Sequence, residues 1–186
     1  MTAPIVIAPL AELDAAVARW SPAHVVSIQS PPGTAPALGV AHHLSLTFHD
    51  VVDETPPLPD LVHPARDHAA LLVELARAWT GERPLLIHCR FAVSRSPAAA
   101  LIVAAARAPG ADPRELVARL RRAAPHATPN RHLLAAADAL LGHEGGVGLA
   151  AAARAAGRGA SVATGTTVVL DLNRNDAWGE DGGASR

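Results

Sequence analysis

The distribution of apolar and polar residues along the chain predicts strands that alternate with helices. Short apolar or alternating runs predict strands, and longer segments with apolar residues three and four positions apart predict helices. The predicted strands are 5–7, 24–28, 43–48 and 85–87. The predicted helices are 10–20, 65–79, 97–106, 116–123 and 131–141. This alternation predicts an α/β fold, a single domain with a mainly parallel central sheet and helices on both faces.

The pattern changes after Gly142, so we divide the chain there. Residues 1–142 are predicted to form the main domain. Residues 143–172 form a C-terminal extension with a possible short helix at 147–156 and a possible edge strand at 166–170. Residues 173–186 are polar and rich in glycine, and we expect this tail to be disordered.

A polar loop separates the strand 85–87 from the helix that begins near Pro97. That helix is apolar on all sides, which is typical of a buried helix, and proline is tolerated in a first helical turn. The loop from Cys89 to Ser94 is therefore expected at a helix N-terminus. Unpaired N–H groups and the helix dipole favour an anion there.

The two ends of this loop carry complementary chemistry. A thiol at a helix N-terminus ionises more readily, so we expect Cys89 to react as a thiolate nucleophile. Arg95 offers a planar fork of donors that matches two phosphate oxygens. Together with the loop N–H groups they suit transfer of a phosphoryl group to sulfur. The alternative, an unreactive buried cysteine, explains neither Arg95-Ser96 nor the polar loop.

The spacing of His88-Cys89 and Arg95-Ser96, with five residues between the pairs, resembles the HCxxxxxRS signature of the cysteine-based protein tyrosine phosphatases. The small bacterial and dual-specificity members are the most similar, over residues 44–141. The resemblance implies a phosphatase-like fold and hydrolysis of phosphomonoesters through a cysteinyl-phosphate intermediate.

One residue departs from the family pattern. The family usually has glycine three residues after the cysteine, where this chain has Ala92. A left-handed backbone at an alanine costs about 1–2 kcal/mol. The alternative function is therefore a catalytically weak or inactive relative that binds phosphate or a phosphopeptide.

The resemblance also implies roles for residues outside the loop. A general acid is expected upstream of the cysteine and just after a strand, which favours Asp50, with Asp53 as the alternative; either aspartate is also common in turns. Ser96 would help the thiolate to leave, or would cap the helix. His88 would orient the loop, or would be a core histidine without a catalytic role.

The implied phosphate-binding loop consists of Arg90, Phe91, Ala92, Val93, Ser94 and Arg95. Arg90 would attract an acidic or phosphorylated substrate and Phe91 would line the pocket mouth, unless both are ordinary loop surface. The expected substrate is a phosphotyrosine-containing protein or a small aryl phosphomonoester, with phosphoserine and phosphothreonine as further candidates and phosphate as product. Residues 127–130 also resemble a stretch near the end of small phosphatase domains, although they would equally start a helix.

Composition narrows the choice of partners. The 186 residues carry a formal net charge of −1, which gives no electrostatic basis for binding nucleic acid or an anionic membrane surface. A single cysteine and an N-terminus without a basic start favour the cytoplasm. Despite ten histidines, no metal-ligand spacing and no nucleotide-binding motif is found, so we expect neither a metal nor another cofactor.

Overall fold

Five strands form one mixed sheet in the computed structural model, which describes residues 1–52, 60–143 and 147–173. The strands are β1 (Ile5–Pro9), β2 (His24–Gln29), β3 (His42–Thr47), β4 (Leu85–Cys89) and β5 (Val168–Leu170). Their order in the sheet is β3-β2-β4-β1-β5. The first four strands are parallel, and β5 pairs with β1 in the antiparallel direction. The expected α/β class and mainly parallel sheet are confirmed, and β5 covers three residues of the segment 166–170.

The central strands β1 and β4 are buried along their whole length. Parallel strands covered on both faces need continuous apolar sequences, which explains the runs at 5–7 and 85–87. The register pairs Ile7 with Ile87 and Pro9 with Cys89. Cys89 is the last residue of β4, so it lies at the carboxyl end of the parallel strands, where α/β proteins commonly bind ligands.

Within the described residues, six α-helices cover the sheet unevenly. They are α1 (Leu13–Trp20), α2 (Arg66–Ala78), α3 (Arg95–Arg107), α4 (Pro113–Ala123), α5 (Arg131–Asp138) and α6 (Leu149–Ala155). The helix α1 packs on the face formed by Val6, Ala8, Val25 and Leu86. The other five helices contribute to the larger core on the opposite face. The described residues form a single α/β domain.

Several helix boundaries differ from the sequence-based expectation. The segment Leu10–Glu12 is a 3-10 turn that precedes α1, and α3 begins at Arg95, two residues before Pro97. The helix α5 ends at Asp138, although the apolar pattern continues to residue 141. The Asp138 carboxylate accepts hydrogen bonds from the Leu149 and Ala150 N–H groups at 2.7 and 3.1 Å. It therefore caps α6 from outside, and this links the extension to the main domain.

The C-terminal extension forms hydrogen bonds with residues on both sides of β1. The Glu12 carboxylate accepts hydrogen bonds from the backbone and side chain of Thr167, and these bonds lower the pKa of Glu12. Asn173 exchanges hydrogen bonds with the backbone of Thr2. The remainder of the tail, residues 174–186, lies outside the described residues. No helix in the described part of the chain is long and apolar enough to cross a membrane.

Candidate active site

The loop of residues 90–94 joins the carboxyl end of β4 to the first turn of α3. Cys89 is 3% exposed at the start of this loop, and Ser96 is fully buried just beyond its end. The Ser96 hydroxyl donates a hydrogen bond to Cys89 Sγ at 3.1 Å. This hydroxyl therefore contacts the sulfur and stabilises a negative charge on it. Ser96 does not cap the helix, because the N-cap residue of α3 is Ser94 and the Ser96 hydroxyl donates to the sulfur instead.

The backbone of the loop points its carbonyl groups outwards. Four of them accept hydrogen bonds from N–H groups of other segments: Arg90 from Leu10 at 3.3 Å, Phe91 from Gly165 at 2.8 Å, Val93 from Thr128 at 2.8 Å and Ser94 from Asn130 at 3.1 Å. Within the described residues, the N–H groups of residues 91–94 donate to no protein atom. Successive N–H groups that are left without a protein acceptor form a concave site for an anion.

Ala92 has the left-handed backbone conformation that was considered for this position in the sequence. Its φ is 53°, and its side chain is 1% exposed. A left-handed alanine costs about 1–2 kcal/mol, and burial of one methyl group returns about 0.8 kcal/mol. The strain is therefore partly offset by packing, and the loop forms without the glycine that the family usually has.

Arg95 is held in place from one side only. Its guanidinium Nη1 donates to Ser30 Oγ and to the Phe48 carbonyl oxygen, both at 2.9 Å. Its Nε is buried, since the residue is only 5% exposed, and this atom has no hydrogen-bond partner in the described part of the chain. A buried donor without a partner is costly, and an anion in the loop would satisfy it.

Asp50 follows β3 and lies at the rim of the loop. Its Oδ1 accepts a hydrogen bond from Ser94 Oγ at 2.6 Å and another from Asn130 Nδ2 at 2.7 Å. These two donors fix one carboxylate oxygen beside the loop. Asp53, the alternative acid, lies outside the described residues.

Asn130 is a positioning residue that the sequence analysis did not identify as such. It is fully buried, and its Nδ2 also donates to the Val51 carbonyl oxygen at 3.0 Å. Its Oδ1 accepts from the Leu133 N–H at 2.9 Å, which caps α5. The Asn130 side chain therefore joins the start of α5 to the segment that carries Asp50. Its backbone N–H donates to the Ser94 carbonyl oxygen of the loop. The sequence offered two signals here, the helix start near residue 130 and the resemblance of residues 127–130 to a stretch of small phosphatase domains. Neither indicated the contact between Asn130 and Asp50.

Cys89, Arg95 and Asp50 line one pocket of 180 Å³. Phe91 is 46% exposed and is one of the residues that line this pocket. Arg90 lies 5.3 Å from the centre of the Phe91 ring and lines a different pocket of 450 Å³, which reaches Cys89 from the side of Leu10. Arg90 is therefore outside the pocket that contains Asp50.

His88 lies on β4 directly before Cys89 and is buried from solvent. Its Nε2 shares a hydrogen bond of 2.6 Å with Ser27 Oγ on β2, and Ser27 Oγ also contacts His43 Nε2 at 2.7 Å. Burial, with a smaller contribution from His43, lowers the pKa of His88 to about 4. His88 is therefore neutral at pH 7, and its contact with β2 agrees with a role in orienting the end of β4.

Residues 157–165, which we call the C-terminal segment, form one wall of the site. Gly165 N–H donates to the Phe91 carbonyl oxygen, and Val162 and Ala163 line the 180 Å³ pocket. A Cβ at Gly165 would overlap the His126 ring, so only glycine permits this close approach. Nothing in the sequence indicates that the extension reaches the loop.

The arrangement brings together a sulfur, a guanidinium, a row of available N–H groups and a carboxylate around a space large enough for a small anion. Among the described residues, no three His, Cys, Asp or Glu side chains form a group that could hold a metal ion. No protein-family model matches the chain, and no curated protein is significantly similar to it in sequence.

Proposed function

We propose that the chain is a phosphomonoester hydrolase of the cysteine-based protein tyrosine phosphatase type, with a fold of that type. The observation that carries the proposal is that Cys89 and Arg95 line one pocket, where the buried Arg95 Nε has no hydrogen-bond partner among the described residues. A tetrahedral phosphate is an anion that would satisfy Nε, accept from the loop N–H groups and present phosphorus to the sulfur.

In the first step the phosphate binds to the loop and Cys89 attacks phosphorus. The S–P bond forms while the bond from phosphorus to the leaving oxygen breaks. Asp50, in its protonated form, donates its proton to that oxygen and becomes a carboxylate; the hydrogen bonds from Ser94 and Asn130 to its Oδ1 hold this group at the rim of the loop. The product of this step is a cysteinyl-phosphate and a free alcohol.

In the second step water attacks phosphorus and the S–P bond breaks. Asp50 now accepts a proton from the attacking water. The sulfur departs as a thiolate, and the Ser96 hydroxyl stabilises it through the 3.1 Å hydrogen bond. Phosphate is released, and the enzyme returns to its initial state.

A phosphotyrosine substrate agrees with the position of Phe91. Its exposed ring at the mouth of the pocket offers an apolar contact for an aryl leaving group. Phosphoserine and phosphothreonine remain candidate substrates, because their shorter side chains also place phosphate in the loop.

The test is hydrolysis of an aryl phosphate, p-nitrophenyl phosphate, by the wild type and by Cys89→Ser. The proposal predicts turnover by the wild type and none by the variant, with circular dichroism confirming that both are folded. Val169→Ala, at an exposed position on the edge strand β5, is the control variant and should retain full turnover. Equal rates for wild type and Cys89→Ser would refute the proposal.

The alternative is a protein that binds phosphate or a phosphopeptide without hydrolysing it. The observation in its favour is the strained backbone of Ala92. It predicts that the wild type binds inorganic phosphate without turnover and that Ala92→Gly gains activity. The main proposal predicts that Ala92→Gly changes turnover by no more than a few-fold, because the loop already has its required conformation.

A further inference from the structure

A second groove adjoins the Cys89 pocket on the side of Asp50. Its volume is 480 Å³, compared with 180 Å³ for the pocket itself. The two cavities share Asp50, Val93, Ser94 and Val162 as lining residues. A substrate that places its phosphate at Cys89 can therefore extend directly into the groove.

Among the described residues, more basic than acidic side chains line the groove, although the whole chain has a formal net charge of −1. Three arginines line it, Arg131, Arg154 and Arg158, and within the described residues Asp50 is the only acidic side chain that does so. Arg154 and Arg158 are exposed, Arg154 in the last turn of α6 and Arg158 in the C-terminal segment. A cleft lined by one sign of charge attracts and orients ligands of the opposite charge.

The main chain that carries these arginines is fixed to the domain. The Arg121 guanidinium donates to the carbonyl oxygens of Gly157 and Arg158 at 2.8 and 2.9 Å. The Gly159 N–H donates to Thr128 Oγ1 at 3.0 Å. The main chain at Arg158 is therefore held beside Thr128, whose own N–H donates to the Val93 carbonyl oxygen of the loop.

We propose that the groove binds acidic side chains next to the phosphorylated residue of a peptide substrate. Arg154 and Arg158 contact the carboxylates, while the apolar lining at Val52, Pro129 and Val162 packs against the aliphatic parts of the peptide. This inference rests on the proposed function, because the phosphate must occupy the Cys89 pocket for the flanking residues to reach the groove.

The experiment compares two phosphotyrosine peptides that differ only in having Glu or Gln beside the phosphorylated residue. The wild type should have a lower KM for the Glu peptide, by on the order of three- to ten-fold, with a similar kcat. Arg154→Gln with Arg158→Gln should remove most of this preference, and Lys at both positions should restore it. The preference should also decline as salt is added. The matched control is Arg66→Gln with Arg114→Gln, which removes two exposed charges outside the groove and should keep the preference.

The outcomes separate the two proposals. Turnover of p-nitrophenyl phosphate without a preference for the Glu peptide would overturn this inference and leave the proposed function intact. Absence of all turnover would overturn the proposed function. The affinities of the two peptides for Cys89→Ser, with and without the arginine substitutions, then decide the inference. Equal affinities would refute it, and tighter binding of the Glu peptide that depends on Arg154 and Arg158 would support it.

Discussion

The hydroxyl of Ser96 provides the most specific prediction about the reaction. Ser96 is fully buried and its hydroxyl donates to Cys89 Sγ at 3.1 Å. Ser96→Ala removes this hydroxyl group and leaves the rest of the side chain unchanged. We therefore expect the variant to remain folded and its Cys89 thiolate to be less stable, relative to the uncharged sulfur, than in the wild type.

The effect should fall on the second chemical step. In the cysteinyl-phosphate the sulfur carries no charge, and in the transition state for its hydrolysis the thiolate re-forms. A hydrogen bond to a charged group contributes about 1.5–3 kcal/mol. At 1.36 kcal/mol per factor of ten, Ser96→Ala should slow release of the sulfur by about ten-fold to about a hundred-fold.

The assay is rapid-mixing measurement of nitrophenolate release from p-nitrophenyl phosphate. The variant should show a burst of nitrophenolate equivalent to the enzyme present, followed by slow steady turnover, because the intermediate accumulates. Ser45→Ala, at an exposed position on β3, is the control and should behave as the wild type does. Wild-type kcat in Ser96→Ala, or a lower kcat without a burst, would refute the reasoning.

Three further predictions concern the support of the site. Asn130→Ala should lower the free energy of unfolding by about 1 kcal/mol, measured by chemical denaturation, because α5 loses its cap. It should also lower kcat, because Asp50 loses a hydrogen-bond donor. An unchanged kcat would contradict the positioning role. Acid should destabilise the protein between pH 6.5 and about 4, because the unfolded chain protonates His88 before the folded one does. His88 accounts for about 3 kcal/mol of this loss, so denaturation at several pH values should show a shallower slope for His88→Gln than for the wild type. Gly159→Ala places a Cβ 2.5–2.6 Å from backbone atoms of residues 126 and 127, so it should lower the free energy of unfolding by about 1–3 kcal/mol, whereas Ser161→Ala should have little effect.

The elements and the loop could be predicted from the sequence because both are local properties. The apolar runs set the strands, and the position of Pro97 set the helix start to within two residues. The contact between Ser96 and Cys89 follows from a strand, a short loop and a helix that are consecutive in the chain. The position of Ala92 within the loop is also local, so a left-handed backbone there could be considered from the sequence, and the structure shows it.

The contacts that complete the site could not be predicted, because they join residues far apart in the chain. Asn130 reaches Asp50 across 80 residues, and His88 reaches Ser27 across 61 residues. Nothing in the local pattern around Gly165 indicates that it packs beside Ala92 and His126. Such partners depend on the order of strands in the sheet and on the path of the C-terminal extension, which hydrophobic periodicity does not encode.

The measurement that tests the central claim most directly is identification of the phosphorylated residue during turnover. Ser96→Ala is mixed with p-nitrophenyl phosphate, quenched within the burst and analysed by peptide mass spectrometry. The account predicts one added phosphoryl group on the peptide that contains Cys89, bound to sulfur, and none in Cys89→Ser under the same conditions. A burst with no phosphoryl group on Cys89, or with the group on another residue, would contradict it.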